Sequence, residues 1–321
     1  MDEILERVVR QSGVVELLDV LVERLAPTDL QSLLIEVNRR RAARQAPADL
    51  LDQYRRNRFV QPSPTDPRAF LELDRLAFSL AAPPFQPIEL SPLAPLGATS
   101  VLTTVSQNVA VATARNVEVV SDSTNVLALE CARRRRTRSR TRSGASDRVR
   151  LCASHRLLRA QRFAGPKQLA HFRAFALCTA GRDEGNERFE LESLAEQLEF
   201  YLRFLAAGQS VGFPMSQPRI AVTDLTGRLP TARLQPAVLD PLATRFPDAR
   251  LGFDPERASG RGYYETLCFK VYATDPRGVE HELADGGFTD WTRTLLSDRK
   301  ERLLISGIGT ERIRGVFGGE E

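Results

Sequence analysis

A chain of 321 residues, 42% apolar and 27% charged, can bury a full core, and one large unit with a smaller appendage is its natural division. No apolar run approaches the ~20 residues that span a bilayer, and the acidic, amphipathic start MDEILERVV lacks the basic patch and apolar stretch of a secretion signal, so we expect a cytoplasmic protein without a membrane segment. The formal charge of +4 is almost all arginine, the only lysines being Lys167, Lys270 and Lys300; part of the excess sits in one run, and global charge says little about nucleic acid.

Residues 1–64 read as a helical appendage. Val14 to Leu25 is apolar at helical spacing, Ala26-Pro27 ends that stretch, and Thr28-x-x-Gln31 is a capping box that opens a second helix through about Arg44. Such a piece is either a small bundle packed on the core or a docking module. Pro62, Pro64 and Pro67 punctuate a linker; Asp66 is placed to cap a helix with Pro67 at its first position, and Phe70, Leu73, Leu76, Ala77 and Leu80 form its apolar stripe. The proline-studded PFQPIELSPLAPLG that follows is extended and cannot be a central strand throughout.

From Val117 a strand ends at Ser121, and Asp122 or Thr124 can cap a helix carrying Val126, Leu127, Leu129 and Ala132. Arg133, Arg134, Arg135, Arg136, Arg138, Arg140 and Arg142 then crowd together with Ser and Thr. Like charges this dense repel, so residues 133–147 read as a basic flexible loop; the sharper alternative is a phosphate or RNA contact, although no aromatic side chain is interleaved to stack bases. Arg148 to Ala180 reads as two strands joined by a turn at Gly165-Pro166, Phe189 to Ala207 as an amphipathic helix, and Arg219 to Leu225 as a strand.

The last stretch, Ser259 to Phe317, reads as strand, turn, strand, Gly-Gly turn, helix, strand and final helix. Leu267 to Thr274 is rich in Val, Tyr, Phe and Cys, Pro276-Arg277-Gly278 is turn chemistry, and Leu303 to Ile308 is a short apolar run. Cys131, Cys152, Cys178 and Cys268 lie scattered in apolar runs, which predicts buried structural thiols. With only His155, His171 and His281 in the chain, we expect no metal site.

Three pieces in order carry a resemblance: Tyr263-Tyr264 before Phe269, then Gly286-Gly287-Phe288-Thr289-Asp290, then Gly309-Thr310-Glu311-Arg312. They resemble the C-terminal half of the class II aminoacyl-tRNA synthetase core, histidyl type. Earlier stretches add to this. The helix feeding a proline-rich strand is similar to motif 1, with Pro92 as best match and Pro87 and Pro95 competing, and in that family it builds a dimer interface. The two strands after Arg148 are similar to motif 2. The resemblance covers roughly residues 65–317 and implies an α+β fold: an antiparallel six-stranded sheet flanked by helices, residues 65–321, preceded by the small helical region.

For the site, the resemblance implies ATP, with Mg2+, held by Arg159 at the α-phosphate, Gln161 at the adenine amine, His171 with Phe175 on the return strand, the Phe stacking on adenine, and Arg312 at the γ-phosphate. Asp122 and Thr124 stand where the family holds the α-amino group of the amino acid, beside Tyr263 and Tyr264, although a plain helix cap accounts for Asp122 and Thr124 equally well. Adenylate formation needs no general base: the carboxylate attacks phosphorus directly, and arginines that fork onto phosphate neutralise the developing charge. Arg159, Arg312 and Arg261 are therefore the candidate catalytic residues. Departures accompany these matches. Ser259 occupies the place of the family's catalytic arginine, for which Arg261 could substitute after a loop shift; Val120 replaces another arginine; Leu177 stands for the imidazole-reading Gln.

The expected function is that of a homodimeric histidyl-tRNA synthetase-like paralogue that activates a carboxylic or amino acid as an adenylate without charging tRNA unaided. The alternative is a non-catalytic regulator similar to the histidyl-synthetase-like subunit of ATP phosphoribosyltransferase. A third reading, an RNA-binding module, rests on the arginine run.

Overall fold

The computed structural model describes residues 3–140, 148–161 and 169–318. Its strands are β1 Gln86–Pro87, β2 Leu93–Pro95, β3 Val117–Val119, β4 Val149–Leu158, β5 His171–Arg182, β6 Ser216–Asp224, β7 Arg250–Phe253, β8 Leu267–Thr274, β9 Glu280–Thr289 and β10 Glu301–Ile308. Eight form one mixed sheet in the order β1-β4-β5-β10-β9-β8-β6-β7, and β2 pairs with β3 apart from it. The six inner strands run antiparallel as expected, while β1 beside β4 and β7 beside β6 add short parallel edges to the expected six.

The helices are α1 Glu3–Ser12, α2 Leu17–Asp19, α3 Pro27–Ala42, α4 Pro47–Arg56, α5 Pro67–Ala81, α6 Ser123–Arg140, α7 Arg188–Ala207, α8 Thr231–Leu234, α9 Asp240–Arg245, α10 Trp291–Leu296 and α11 Thr310–Phe317. Asp66 caps α5 by accepting from the Arg68 amide at 2.9 Å, with Pro67 in the first turn, as the sequence predicts. One face of the sheet carries α5, α7 and α11, burying Leu73, Ala77, Phe175, Leu177, Phe200 and Phe204. The other carries α6 and α10 over Leu151, Ala153, Ala176, Cys178, Trp291 and Ile305. Both faces are covered, which is why the strands read as near-continuous apolar runs. All four cysteines are free and buried in these layers.

Several sequence expectations need correction. Gly286 and Gly287 are not a turn but lie inside β9. A Cβ at Gly287 would sit 2.5 Å from Tyr264 Cδ1 and 2.6 Å from the Leu267 carbonyl, so the glycine exists to let a tyrosine lie on the strand. The capping box does not form. Ala26 precedes α3 with no side-chain cap bond, because Pro27 starts the helix one residue early and puts Thr28 inside it.

The arginine run is not a loop as far as Arg140, since α6 continues through it. Glu130 takes Arg133 and Arg134 one turn on, and the Arg133 guanidinium, opposed by burial and helped by Arg134, holds its carboxyl down to about 2. Arg135 turns inward and meets buried Glu301 at 3.0 and 2.9 Å. Residues 141–147, including Arg142, and the predicted Gly165-Pro166 turn lie outside the described residues.

The appendage buries none of its residues in α1 to α4, and Ile4, Val15, Val22, Leu33, Leu50 and Leu51 stay exposed, so it is not a bundle with a core of its own. It is tied down by the strap that follows: Arg58 donates to the Gln161 carbonyl, His171 Nε2 lies 2.6 Å from the Gln61 carbonyl, and Ser63 hydrogen-bonds Glu311.

Candidate active-site cleft

Side-chain parity on β4 and β5 builds the site. Leu157 and Arg159 at the end of β4, and Phe172, Ala174 and Ala176 on β5, point to the α6 face, where a cleft of about 520 Å³ opens. Ser121, Asp122, Ser123, Thr124 and Asn125, at the start of α6, form a second side. A third side is the loop that presents Thr99, Thr103 and Val105. That loop is held by Glu118, which accepts from the amides of Gly97 and Thr99, the Thr99 hydroxyl and Gln107. Burial works against the charge of Glu118, but these hydrogen bonds, led by Thr99, leave its pKa below the usual range.

Asp122 is fixed by its own helix start, accepting from the Thr124 amide at 2.9 Å and the Thr124 hydroxyl at 2.8 Å. Its other oxygen takes Arg159 Nη2 at 3.2 Å, while Arg159 Nε donates to the Ser121 carbonyl at 3.0 Å. The same guanidinium lies 5.4 Å from the centre of the Phe172 ring. Tyr263 lines the cleft beside Thr124 and packs edge-on against Tyr264 and Trp291 at 4.9 and 5.6 Å. Burial raises both tyrosine phenols well above their usual range, so they remain donors at neutral pH. Asp285 completes the floor, one oxygen held at 2.8 Å by buried Arg257.

No protein-family profile and no curated protein matches the sequence. Among solved structures, the chain is similar to an ATP phosphoribosyltransferase regulatory subunit/histidyl-tRNA synthetase from Bacillus halodurans, with a TM-score of 0.58 at 12% identity over 82% of this chain and 83% of that one. The apo histidyl-tRNA synthetase of S. aureus matches at 0.55 and 14%, over 79% and 66%. That of Nostoc sp. PCC 7120 matches at 0.54 and 14%, over 81% and 74%. The chain has a class II synthetase-like fold. At these identities the likeness is one of fold.

Within that class II core, Arg159, Gln161, Asp122, Thr124, Tyr263 and Tyr264 come together around the cleft. Four other expected site residues do not. Phe175 faces the opposite way and is fully buried, stacked on Phe200 at 5.6 Å and edge-on to Phe78 at 5.1 Å, so it cannot receive a base. His171, one residue before cleft-facing Phe172 and so on the opposite side of the strand, bonds Arg156 and the Gln61 carbonyl on the α5 face. Arg261 is exposed and lines a shallow depression with Glu265 and Asp290, outside the main cleft. Arg312 is exposed on the first turn of α11; its neighbour Gly309 reaches the cleft wall but the arginine does not line it.

The β5 aromatic on the cleft side is Phe172, three residues before Phe175. Sequence reasoning also missed Arg257, Asp285 and Glu118. Asp285 had a signal, an acidic residue directly before Gly286-Gly287 at mid-strand; Arg257 had none, being one arginine among many. Among the described residues no helix is long and apolar enough to cross a membrane.

Proposed function

We propose that this chain is a non-catalytic relative of histidyl-tRNA synthetase whose cleft binds a free amino acid, in the manner of a regulatory subunit. The observation that carries the reading is the pairing of Asp122 with Arg159 at the mouth of the cleft: a fixed carboxylate for an α-amino group beside a guanidinium for an α-carboxylate, with Thr124 and Tyr263 adjoining. Buried, unpartnered Ser123 Oγ and Asn125 Oδ1 beside Asp122 add hydrogen-bonding capacity that a polar ligand would use. Thermal-shift titration with the proteinogenic amino acids tests this. At least one should raise Tm, and Asp122→Asn should abolish the shift; a flat response to all of them overturns the reading.

The second reading is ATP-dependent adenylate formation, favoured by the presence of Arg159 and Gln161 on the cleft wall. It needs Arg312, now exposed, to swing over a triphosphate bound with Mg2+. ATP-pyrophosphate exchange stimulated by one amino acid, and lost in Arg312→Ala, would establish it. We further propose that two copies pair through the motif 1 segment, supported by the exposed apolar side chains of Leu93, Leu96 and Val101; sedimentation velocity should then give a dimer.

A further inference from the structure

The cleft floor is a straight row across the sheet, in which Ala153 stands opposite Ala176, Ala176 opposite Gly307, and Gly307 opposite Asp285. Three small residues leave the space open; even a Cβ at Gly307 would meet only the Phe175 carbonyl, at 3.7 Å. Beyond them stands Asp285, 40% exposed, and the row continues to Lys270 on β8. Behind the aspartate lies Arg257, 3% exposed, whose Nη2 donates to Asp285 Oδ1 at 2.8 Å and whose Nε donates to the Ser259 carbonyl at 2.8 Å. The turn that covers this pair is fixed by Gly260 at φ +88°, where a Cβ would come within 3.0 Å of Tyr264 and 3.1 Å of Arg257 Nη2.

The order of charge matters: the carboxylate faces the cavity, and the guanidinium lies behind it, spent on the carboxylate and the Ser259 carbonyl. Asp285 Oδ2 accepts no hydrogen bond from the described residues, and Arg257 Nη1 is buried without a partner. The other cations nearby are already engaged, Lys270 with Glu282 at 2.6 Å and Arg159 with Asp122. A carboxylate that is oriented, partly desolvated and left with an unspent acceptor oxygen gains most from a cationic donor, and charge-assisted bonds are the strong ones. Leaving such an oxygen opposite an aliphatic group costs its desolvation.

We infer that Asp285 is the specificity residue of this cleft and selects a basic α-amino acid, the side-chain cation meeting Asp285 Oδ2 while the α-amino and α-carboxylate groups sit at Asp122 and Arg159. This rests on the amino-acid reading above. Arg257 acts as a positioning residue that aims the aspartate. The test is calorimetric titration of the intact chain with L-ornithine, L-lysine, L-arginine and the neutral L-norleucine, for wild type and Asp285→Asn. At least one basic ligand should bind wild type about tenfold or more tighter than norleucine, and the substitution should erase that preference, bringing basic and neutral ligands to comparable affinity. Equal binding of basic and neutral ligands by wild type overturns the role of Asp285 and leaves the amino-acid reading standing, as does a variant that weakens every ligand alike; binding of no amino acid removes both. Should Asp285→Asn not fold, the wild-type ratio decides alone.

Discussion

The Arg159 guanidinium spans from the Ser121 carbonyl to Asp122 Oδ2, at 3.0 and 3.2 Å, and thereby joins the end of β4 to the start of α6 across the mouth of the cleft. Neither group is buried beyond reach: the side chains are 34% and 25% exposed. A zwitterionic ligand can therefore exchange this internal pair for two pairs of its own. Asp122→Asn keeps the helix cap but removes the charge, and should weaken amino-acid binding by about 10- to 100-fold, the value of a hydrogen bond to a charged group. Calorimetry checks it, with circular dichroism expected to be unchanged.

Phe175 and Phe172 are three residues apart on β5 and should behave oppositely. Phe175→Ala empties a fully buried site and should cost about 3–5 kcal/mol in chemical denaturation. Phe172→Ala removes a ring that packs on Arg159 in the cleft, and should change ligand affinity more than it changes the denaturation midpoint.

The Arg135–Glu301 pair is buried on both sides and should make stability sensitive to one carboxylate. Glu301→Gln removes a buried carboxylate that Arg135 meets with two hydrogen bonds and should destabilise by about 3–5 kcal/mol in urea unfolding. A loss below about 1 kcal/mol would mean that α6 is not anchored here.

Asp275 closes the β8–β9 turn. It accepts the amides of Val279 and Arg277, both at 2.9 Å, and His281 Nε2 at 3.1 Å. The Val279 amide, ahead of His281 and Arg277, holds its carboxyl down to about 2 from an ordinary 3.8. A depressed folded-state pKa gives stability that is fully present above the unfolded value and lost as pH falls through about 4 toward 2. Thermal melts should show that loss in wild type, and a smaller one in Asp275→Asn.

Cys131 and Cys152 are pushed up to about 12, and Cys268 to about 11, by burial. Thiolate is the reactive form, so Ellman's reagent should titrate essentially no thiol in the folded protein at pH 8 and all four in guanidinium.

Much of the fold was legible because it rests on local rules. Asp66 with Pro67 marked the start of α5, Pro276-Arg277-Gly278 marked the β8–β9 turn, and Leu267–Thr274 was read to the residue. The site was legible where it rests on a helix start, at Asp122 and Thr124, and illegible where it rests on strand parity. β5 is buried on both faces, so its apolar run carries no alternation to say whether Phe172 or Phe175 faces the cleft, and a one-residue choice flips every side chain. Gly286-Gly287 looked like a turn because its true reason, the Tyr264 and Phe269 rings lying against the strand, comes from residues that are distant in space until the sheet forms. The arginine run misled for a similar cause: Glu130 and Glu301 pair with its first three members, and Glu301 lies far along the chain.

The most direct test of the amino-acid-binding cleft is a crystal structure of the intact chain grown with L-lysine and ATP together. We expect the α-ammonium on Asp122 beside Thr124, the carboxylate on Arg159, and no nucleotide between Arg159 and Arg312. A bent ATP bridging those two arginines, or an amino acid bound away from Asp122, would contradict the account.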